Sequence, residues 1–217
     1  MVHDSKAIPV APIELHGFVY SRHCHRVQLL LSLLNLPFVW VPVNLKQAEQ
    51  KTDAFKQLNA FGQVPVIRDG DVVLADSNAI LVYLAKKYAP DTWLPEDAEL
   101  AARVQVWLSQ AAGPLAFGPA AARAHVLFGR PVNQEEVNSR SHALLQVMNG
   151  TLAETPYLVG KQPTLADIAM YSYVAHAPEG NIELTDYPAV GAWLKRIETL
   201  PGFVAMSPAS SMPGKSA

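Results

Sequence analysis

Along the first part of the chain, apolar residues come in short blocks whose period switches back and forth. Glu14–Phe18 (ELHGF) reads as a short strand, a placement supported by the helical pattern after it. His25–Leu34 (HRVQLLLSLL) carries strong helix formers, and Asn35 and Pro37 end it. Phe38–Val43 (FVWVPV) is β-rich; Pro42 points to an edge strand, because proline has no N–H for a ladder. Gln47–Leu58 is mixed polar, with helical spacing at Ala54 and Leu58. Val64–Ile67 and Val72–Leu74 flank an Asp69-Gly70 turn and predict a β-hairpin. In Asn78–Tyr88, Ile80, Leu81, Leu84 and Tyr88 form one helical stripe. The order β-α-β-α-β-β-α predicts a small α/β domain, a mixed sheet covered by helices.

Pro90–Pro95 (PDTWLP) punctuates the chain, and beyond it no strand pattern stands out. Glu96–Gly113 predicts a helix with Ala101, Val104, Trp107 and Leu108 on one face. Ala120–Phe128, after the Gly118-Pro119 break, predicts a second. Asn138–Glu154, with Leu144, Leu145, Met148 and Leu152 in register, predicts a third. Thr164–His176 and Pro188–Leu200 complete the set, the last turning Val190, Trp193, Leu194 and Ile197 inward. The boundaries drawn from this pattern are 12–89 for the front domain and 96–206 for an all-helical one.

Composition narrows the classes. The 217 residues carry 17 Lys plus Arg against 19 Asp plus Glu, without a basic run, so there is no electrostatic footprint for nucleic acid. The apolar runs fall far below a membrane span. Cys24 is the single cysteine; no internal disulfide is available, and a reduced, cytoplasmic setting is expected. Met1–Val10 lacks the basic start and long apolar stretch of a signal peptide and reads as a loose polar tail. Ser207–Ala217, rich in serine, proline and glycine, reads as disordered.

Three local signals carry chemistry. In Phe61–Val66 (FGQVPV), Pro65 opens an apolar run. A cis Val64–Pro65 bond would turn Val64's backbone groups outward, able to pair β-fashion with an extended peptide-like ligand. The alternative, an ordinary turn before an edge strand, is favoured by the local sequence alone. Asp76-Ser77-Asn78 precedes a helix, where an N-cap is the commoner use and a ligand carboxylate the rarer one. Tyr20–Arg26 (YSRHCHR) opens the first helix. There Ser21 has a hydroxyl to donate to an anion or thiolate, and Cys24 is either a nucleophile activated by the helix start or a small buried hydrophobe. His23, Cys24 and His25 are too closely spaced to share a tetrahedral ion, and no distant ligand set accompanies them, so no metal is expected. Thr164–Asp167 (TLAD) reads as a capping box, which makes Asp167 structural. His125 and His176 read as ordinary core or surface histidines. Glycine spacing for a dinucleotide or phosphate loop is absent, and so is a G-x-S-x-G motif.

Taken together, YSRHCHRVQLLLSLLNLPF, NAFGQVPVI, LADSNAILVYLAKKY and YLVGKQPTLADIAMYSYV, in this order and spacing, resemble the cytosolic glutathione transferases over about residues 13–206. Ser21–Tyr88 is similar to bacterial members of the serine-using, theta-like branch. The resemblance implies an α/β thioredoxin-like N-terminal domain followed by an all-α helical C-terminal domain, a homodimer, and glutathione bound mostly on the first domain. It also implies a cis Pro65. Ser21 matches the activating serine, which would donate to the glutathione sulfur. Val64 would pair its backbone with the cysteinyl part. Asp76 and Ser77 match the pair holding the γ-glutamyl end. Gln50 and Lys51 match positions meeting the glycyl carboxylate, Gln50 standing where the branch commonly has histidine; Gln63 also faces that side. Trp107, Phe117 and His125 are candidates for the second-substrate pocket.

The implied activity is transfer of glutathione, as co-substrate, to a small electrophile, without a metal. The alternatives are a glutathione-dependent peroxidase or disulfide reductase, an isomerase or ring-opening enzyme for an unsaturated acid with Arg22, His23 and Arg123 as contributors to a basic pocket, and a non-catalytic module of the same fold. Tyr20 beside Ser21, and Cys24 three positions on, keep tyrosine- and cysteine-based variants open.

Overall fold

The computed structural model describes residues 8–211. The first seven residues of the tail reading and the last six of the disorder reading lie outside the described residues. Within the rest of that stretch, Ala209–Ser211 form a 3-10 turn, and the Ala209 N–H donates to Glu179 Oε1 at 3.1 Å. This part of the tail is therefore ordered, because an acid distant in sequence supplies the partner that its composition does not reveal.

The first unit runs through Leu94 and takes in Pro201–Pro208. Its elements are β1 (Ile13–Gly17), α1 (Arg22–Leu33), β2 (Phe38–Pro42), the one-turn α2 (Asp53–Lys56), β3 (Val66–Asp69), β4 (Val72–Ala75) and α3 (Ser77–Tyr88). The sheet order is β2-β1-β3-β4, with β1 parallel to β2 and antiparallel to β3. Pro42 thus sits on an edge strand, as its missing donor requires. Gly70, at φ +59, takes the first central position of the β3–β4 turn, where a side chain would be strained.

Strand alternation divides the core. Leu15 and Ile67, paired across β1 and β3, are fully buried on the face that packs against α1 and α3 with Leu30, Ile80, Leu81 and Leu84. Each such side chain contributes roughly 1.5–3 kcal/mol on full burial. Val66 points to the other face and packs with Val43 and Phe55, joined by Leu45, Leu58, Val64 and Ala75. That smaller cluster anchors the stretch between β2 and β3. The helical spacing read there over Gln47–Leu58 resolves into two 3-10 turns and the single turn α2, which is too short to bury more than one side chain, Phe55.

The C-terminal segment Pro201–Pro208, drawn from sequence with the helical domain, packs with the first unit. His25 Nε2 donates to the Val204 carbonyl at 2.9 Å, and Ser32 Oγ to the Gly202 carbonyl at 2.6 Å.

The second unit runs from Pro95 to Leu200 and resumes at Ala209. It holds α4 (Ala98–Ala112), α5 (Pro114–Phe117), α6 (Pro119–Phe128), α7 (Gln134–Glu154), α8 (Leu165–Val174) and α9 (Pro188–Glu198). The turn α5 is absent from the periodicity, since Gly113-Pro114 and Gly118-Pro119 cut it too short to show a stripe. Asn133 caps α7 one turn before the first helical residue read from sequence. Every residue of α8 is buried, and Thr164 and Asp167 close its start as a capping box. Asp167 Oδ1 also accepts from Leu158 N–H at 3.0 Å and from Trp193 Nε1–H at 2.8 Å, joining α8 to α9.

Candidate functional site at one end of the sheet

The sheet register brings the three chemical signals to one place. Val66 lies between His16 of β1 and Ala75 of β4. The end of β1, the start of β3 and the end of β4 therefore share one end of the sheet. From there the chain enters α1 at Ser21, leaves Val64–Pro65, and enters α3 at Asp76.

At the first helix start, Ser21 has extended backbone (φ −85, ψ 120), and its N–H donates to the Phe18 carbonyl at 2.8 Å. Its Oγ accepts from Cys24 N–H at 3.4 Å, the N-cap bond. A hydroxyl accepting in this way keeps its proton to donate, at a helix end that favours negative charge. Cys24 lies on the buried face of α1. It is fully buried, and burial pushes its thiol up to about 11, outweighing the hydrogen bonds from Ser21 and Phe18 that pull it down. Cys24 Sγ would lie 3.0 Å from a Cβ at Gly17, so this cysteine fills space against β1. Tyr20 is half-buried, with its ring edge-on to Phe18 at 5.5 Å.

At the second helix start, Asp76 accepts from Asn78 N–H at 3.0 Å and Ala79 N–H at 2.9 Å. Its φ of +69 is a costly conformation for an aspartate, of order 1–3 kcal/mol, and such backbone gathers at ligand sites. Ser77 is buried; its Oγ accepts from Arg26 Nη1 at 3.2 Å and lies 3.4 Å from His23 Nδ1. Burial, aided by the Arg26 charge, pushes His23 down to about 3, so it is neutral at ordinary pH. His23, two residues beyond Ser21, thereby joins the two helix starts. Arg26 Nη1 also donates to Asn78 Oδ1 at 2.8 Å. Arg22 is buried with Nη1 donating to the Tyr20 carbonyl at 3.4 Å.

The Val64–Pro65 bond is cis, and the β3 ladder begins only at Val66. Asn59 fixes the approach: Nδ2 donates to the Gln63 carbonyl at 2.8 Å, and Oδ1 accepts from Phe61 N–H at 3.0 Å. Gly62, at φ +57, lies against Gln50 and Lys51; a Cβ there would sit 2.6 Å from the Gln50 carbonyl oxygen. Lys51 Nζ donates to the Phe61 carbonyl at 3.4 Å. Gln50 is half-buried, and its Oε1 has no hydrogen-bond partner among the described residues. Gln63 and Lys51 are exposed. The loop thus sets Gln50, Lys51, Gln63 and Val64 along one continuous support.

The remaining sequence candidates lie in the helical unit. Trp107 lines a cavity of about 410 Å³ between α4 and α7, with Val106, Gln110, Ala143, Leu144 and Val147. Phe117 is exposed, and His125 Nδ1 donates to the Arg130 carbonyl at 2.8 Å. Arg123 is buried and paired with Glu179 at 2.5 Å. Among the described residues no group of three or more His, Cys, Asp and Glu side chains is arranged for a metal ion, and no helix is long and apolar enough to cross a membrane.

Arg26 and Asn59 were given no role from sequence, and Asn78 only a place in the α3 cap. For Arg26 a signal exists: it is a cation at helical spacing from Arg22, Leu29 and Leu30, on the buried face of α1.

Residues 20–87 match the family model for the glutathione S-transferase N-terminal domain, and residues 117–201 match that for its C-terminal domain. The chain is 32% identical to bovine glutathione S-transferase theta-1 over 203 residues, covering 88% of this chain and 85% of the relative. It superposes on the crystal structure of a glutathione S-transferase from Pseudomonas fluorescens with TM-score 0.84 and 34% identity, covering 90% of this chain and 99% of the other. A glutathione transferase homologue from Drosophila mojavensis, solved with bound glutathione, superposes with TM-score 0.78 at 30% identity, covering 88% and 89%. With both domains matched in order and the fold shared throughout, this chain belongs to the glutathione S-transferase family.

Proposed function

We propose that this glutathione transferase activates its co-substrate through Ser21. Glutathione lies along the shared end of the sheet, its sulfur at the α1 start. Val64 pairs its backbone with the cysteinyl unit, next to the cis bond to Pro65. Asp76 and Ser77 hold the γ-glutamyl end. Gln50 and Lys51, with Gln63 beside them, meet the glycyl carboxylate. The observation that carries this reading is the pairing of roles at one helix start: Ser21 caps with its oxygen, so its proton can turn from the Cys24 sulfur to a ligand sulfur, while Cys24 is buried with its thiol raised. The homologue solved with glutathione, similar over most of this chain, supports the choice of ligand.

The chemistry follows from charge. A cysteine-type thiol of pKa about 8.5 is only about 3% ionised at pH 7. A hydrogen bond to the charged form, about 1.5–3 kcal/mol, lowers that pKa by about 1–2 units. The thiol proton goes to water. The sulfur lone pair forms a bond to the electrophilic carbon, and the leaving group departs with the electrons of the bond that breaks. Thiol transfer through Cys24 would need that buried sulfur to reach a disulfide and to ionise, and its surroundings oppose both.

Ultraviolet difference titration of bound glutathione tests the assignment. In Ser21→Ala the bound thiol titrates about 1–2 units higher, with a smaller change in affinity. An unchanged thiolate signal and rate in that variant refutes the role of Ser21, and loss of signal in Cys24→Ala alone moves the chemistry to the cysteine.

The protein works as a cytoplasmic homodimer in this reading. The apolar groove between α4 and α7, with Val106 and Val147 more than half exposed, supports association of two copies. A monomeric mass independent of concentration in sedimentation equilibrium would refute it.

A further inference from the structure

We infer that Arg26 is a positioning residue for the γ-glutamyl end of glutathione, acting through Ser77 and Asn78; the inference rests on the placement of glutathione proposed above. Arg26 is 1% exposed on the apolar face of α1, where an aliphatic side chain would pack without the cost of burying a charge. Its Nη1 instead reaches the first two residues of α3, donating to Ser77 Oγ at 3.2 Å and Asn78 Oδ1 at 2.8 Å.

Those two bonds have a directional consequence. A guanidinium carries donors and no acceptor, so Ser77 Oγ must accept from it. The Ser77 proton is then turned away from Arg26. With the proton of neutral His23 on Nε2, its resting acceptor is His23 Nδ1, at a long 3.4 Å. A ligand carboxylate offers that proton a charge-assisted bond in place of a weak one. Arg26 also places a cation behind the α3 start, where the Asp76 carboxylate already caps the first turn, so its charge offsets that of Asp76 toward a ligand carboxylate at Ser77. Asn78, held at its side-chain oxygen, keeps the first turn in register with the Asp76 cap. Arg26 therefore aims a donor and tunes the potential without touching the ligand.

The test compares glutathione with cysteinylglycine, which lacks the γ-glutamyl unit, in calorimetric titration and steady-state kinetics. The proteins are the wild type, Arg26→Gln, Arg26→Lys and Asn78→Ala. Arg26→Gln is expected to weaken glutathione binding about 10-fold or more. The loss appears in KM for glutathione, with kcat at saturation within about twofold. Cysteinylglycine affinity stays unchanged, so the preference for glutathione shrinks; Arg26→Lys falls between. Asn78→Ala, which leaves the α1 core intact, moves in the same direction and decides the question if Arg26→Gln does not fold. Equal weakening of both ligands, or unchanged glutathione affinity in Arg26→Gln and Asn78→Ala, overturns the role of Arg26 while leaving the site in place. A wild type that does not prefer glutathione to cysteinylglycine overturns the proposed placement of glutathione itself, and this inference with it.

Discussion

Replacing Asp167 by asparagine isolates the value of one buried carboxylate. Four donors converge on it: Leu158 N–H at 3.0 Å and Trp193 Nε1–H at 2.8 Å on Oδ1, Thr164 N–H at 2.8 Å and Thr164 Oγ1–H at 3.3 Å on Oδ2. Asparagine has one acceptor oxygen and one NH2 group. Its better orientation turns the oxygen to Leu158 and Trp193, because the Thr164 hydroxyl can rotate to accept from the NH2. The Thr164 N–H then faces another donor. One buried N–H left without an acceptor costs about 1–3 kcal/mol, and two bonds lose their charged acceptor, about 0.5–1 kcal/mol each. Burial works in the other direction, since it pushes the Asp167 pKa up and a neutral amide escapes that penalty. The balance is a loss of about 2–4 kcal/mol. For a chain of this size it corresponds to a fall in melting temperature of about 4–16 °C. Calorimetry or thermal denaturation followed by circular dichroism reads it, with Trp193→Phe as the companion that removes a single donor. In the double variant the losses should not add, because Trp193 and Asp167 share one bond. Glutathione affinity of the folded protein should be unchanged, since the proposed ligand residues lie in the other unit. A melting temperature for Asp167→Asn within about 2 °C of the parent would refute the reasoning.

Asp69 makes the complementary prediction in acid. Its Oδ2 accepts from Tyr88 Oη–H at 2.5 Å, Tyr83 Oη–H at 2.7 Å and Lys87 Nζ–H at 2.8 Å. Burial alone would raise its pKa, but the bonds from Lys87, Tyr88 and Tyr83 more than reverse this and hold the carboxyl below its usual range. A folded pKa below the unfolded one stabilises above the ordinary carboxylate value, and the contribution is lost as pH falls through the folded value. Asp69→Asn should therefore cost about 2–3 kcal/mol in urea melts at neutral pH, discounted for the half-exposed Lys87, with the gap to wild type closing below about pH 4. A gap that stays constant into acid would count against it. Cys24, buried and raised to about 11, should react with a thiol reagent only as fast as the protein opens. Its rate should rise with urea toward that of the unfolded chain, and fast, urea-independent labelling at neutral pH would contradict the burial.

Much of the fold was readable because burial here is periodic. The stripes Ile80, Leu81, Leu84, Tyr88 and Leu144, Leu145, Met148, Leu152 are buried where the spacing put them. The hairpin was marked by its glycine, which occupies the left-handed turn position. What escaped the pattern was short or non-local. α5 is a single turn between two Gly-Pro breaks, with one buried side chain, Leu115, and one turn shows no period. Pro201–Pro208 is fixed by His25 and Ser32, more than 160 residues earlier in the chain, and its own composition records nothing of those bonds.

The same division separates the residues proposed to touch glutathione from those that hold them. Ser21, Asp76 and Ser77 were visible as helix starts and Val64–Pro65 as a proline at the mouth of a strand, but local sequence favoured a plain cap and an ordinary turn, and the ligand roles came from the family resemblance. Their neighbours carry no such mark. Asn59 clamps the Val64 approach from just beyond α2, and Arg26 reaches α3 from the buried side of α1, each contact set by tertiary packing. A cation on an apolar helix face is the one trace that such a contact leaves in sequence. Arg26 and Arg22, four residues apart and both buried, leave it here, and it locates the tie between the two helix starts on which the orientation of Ser77 depends.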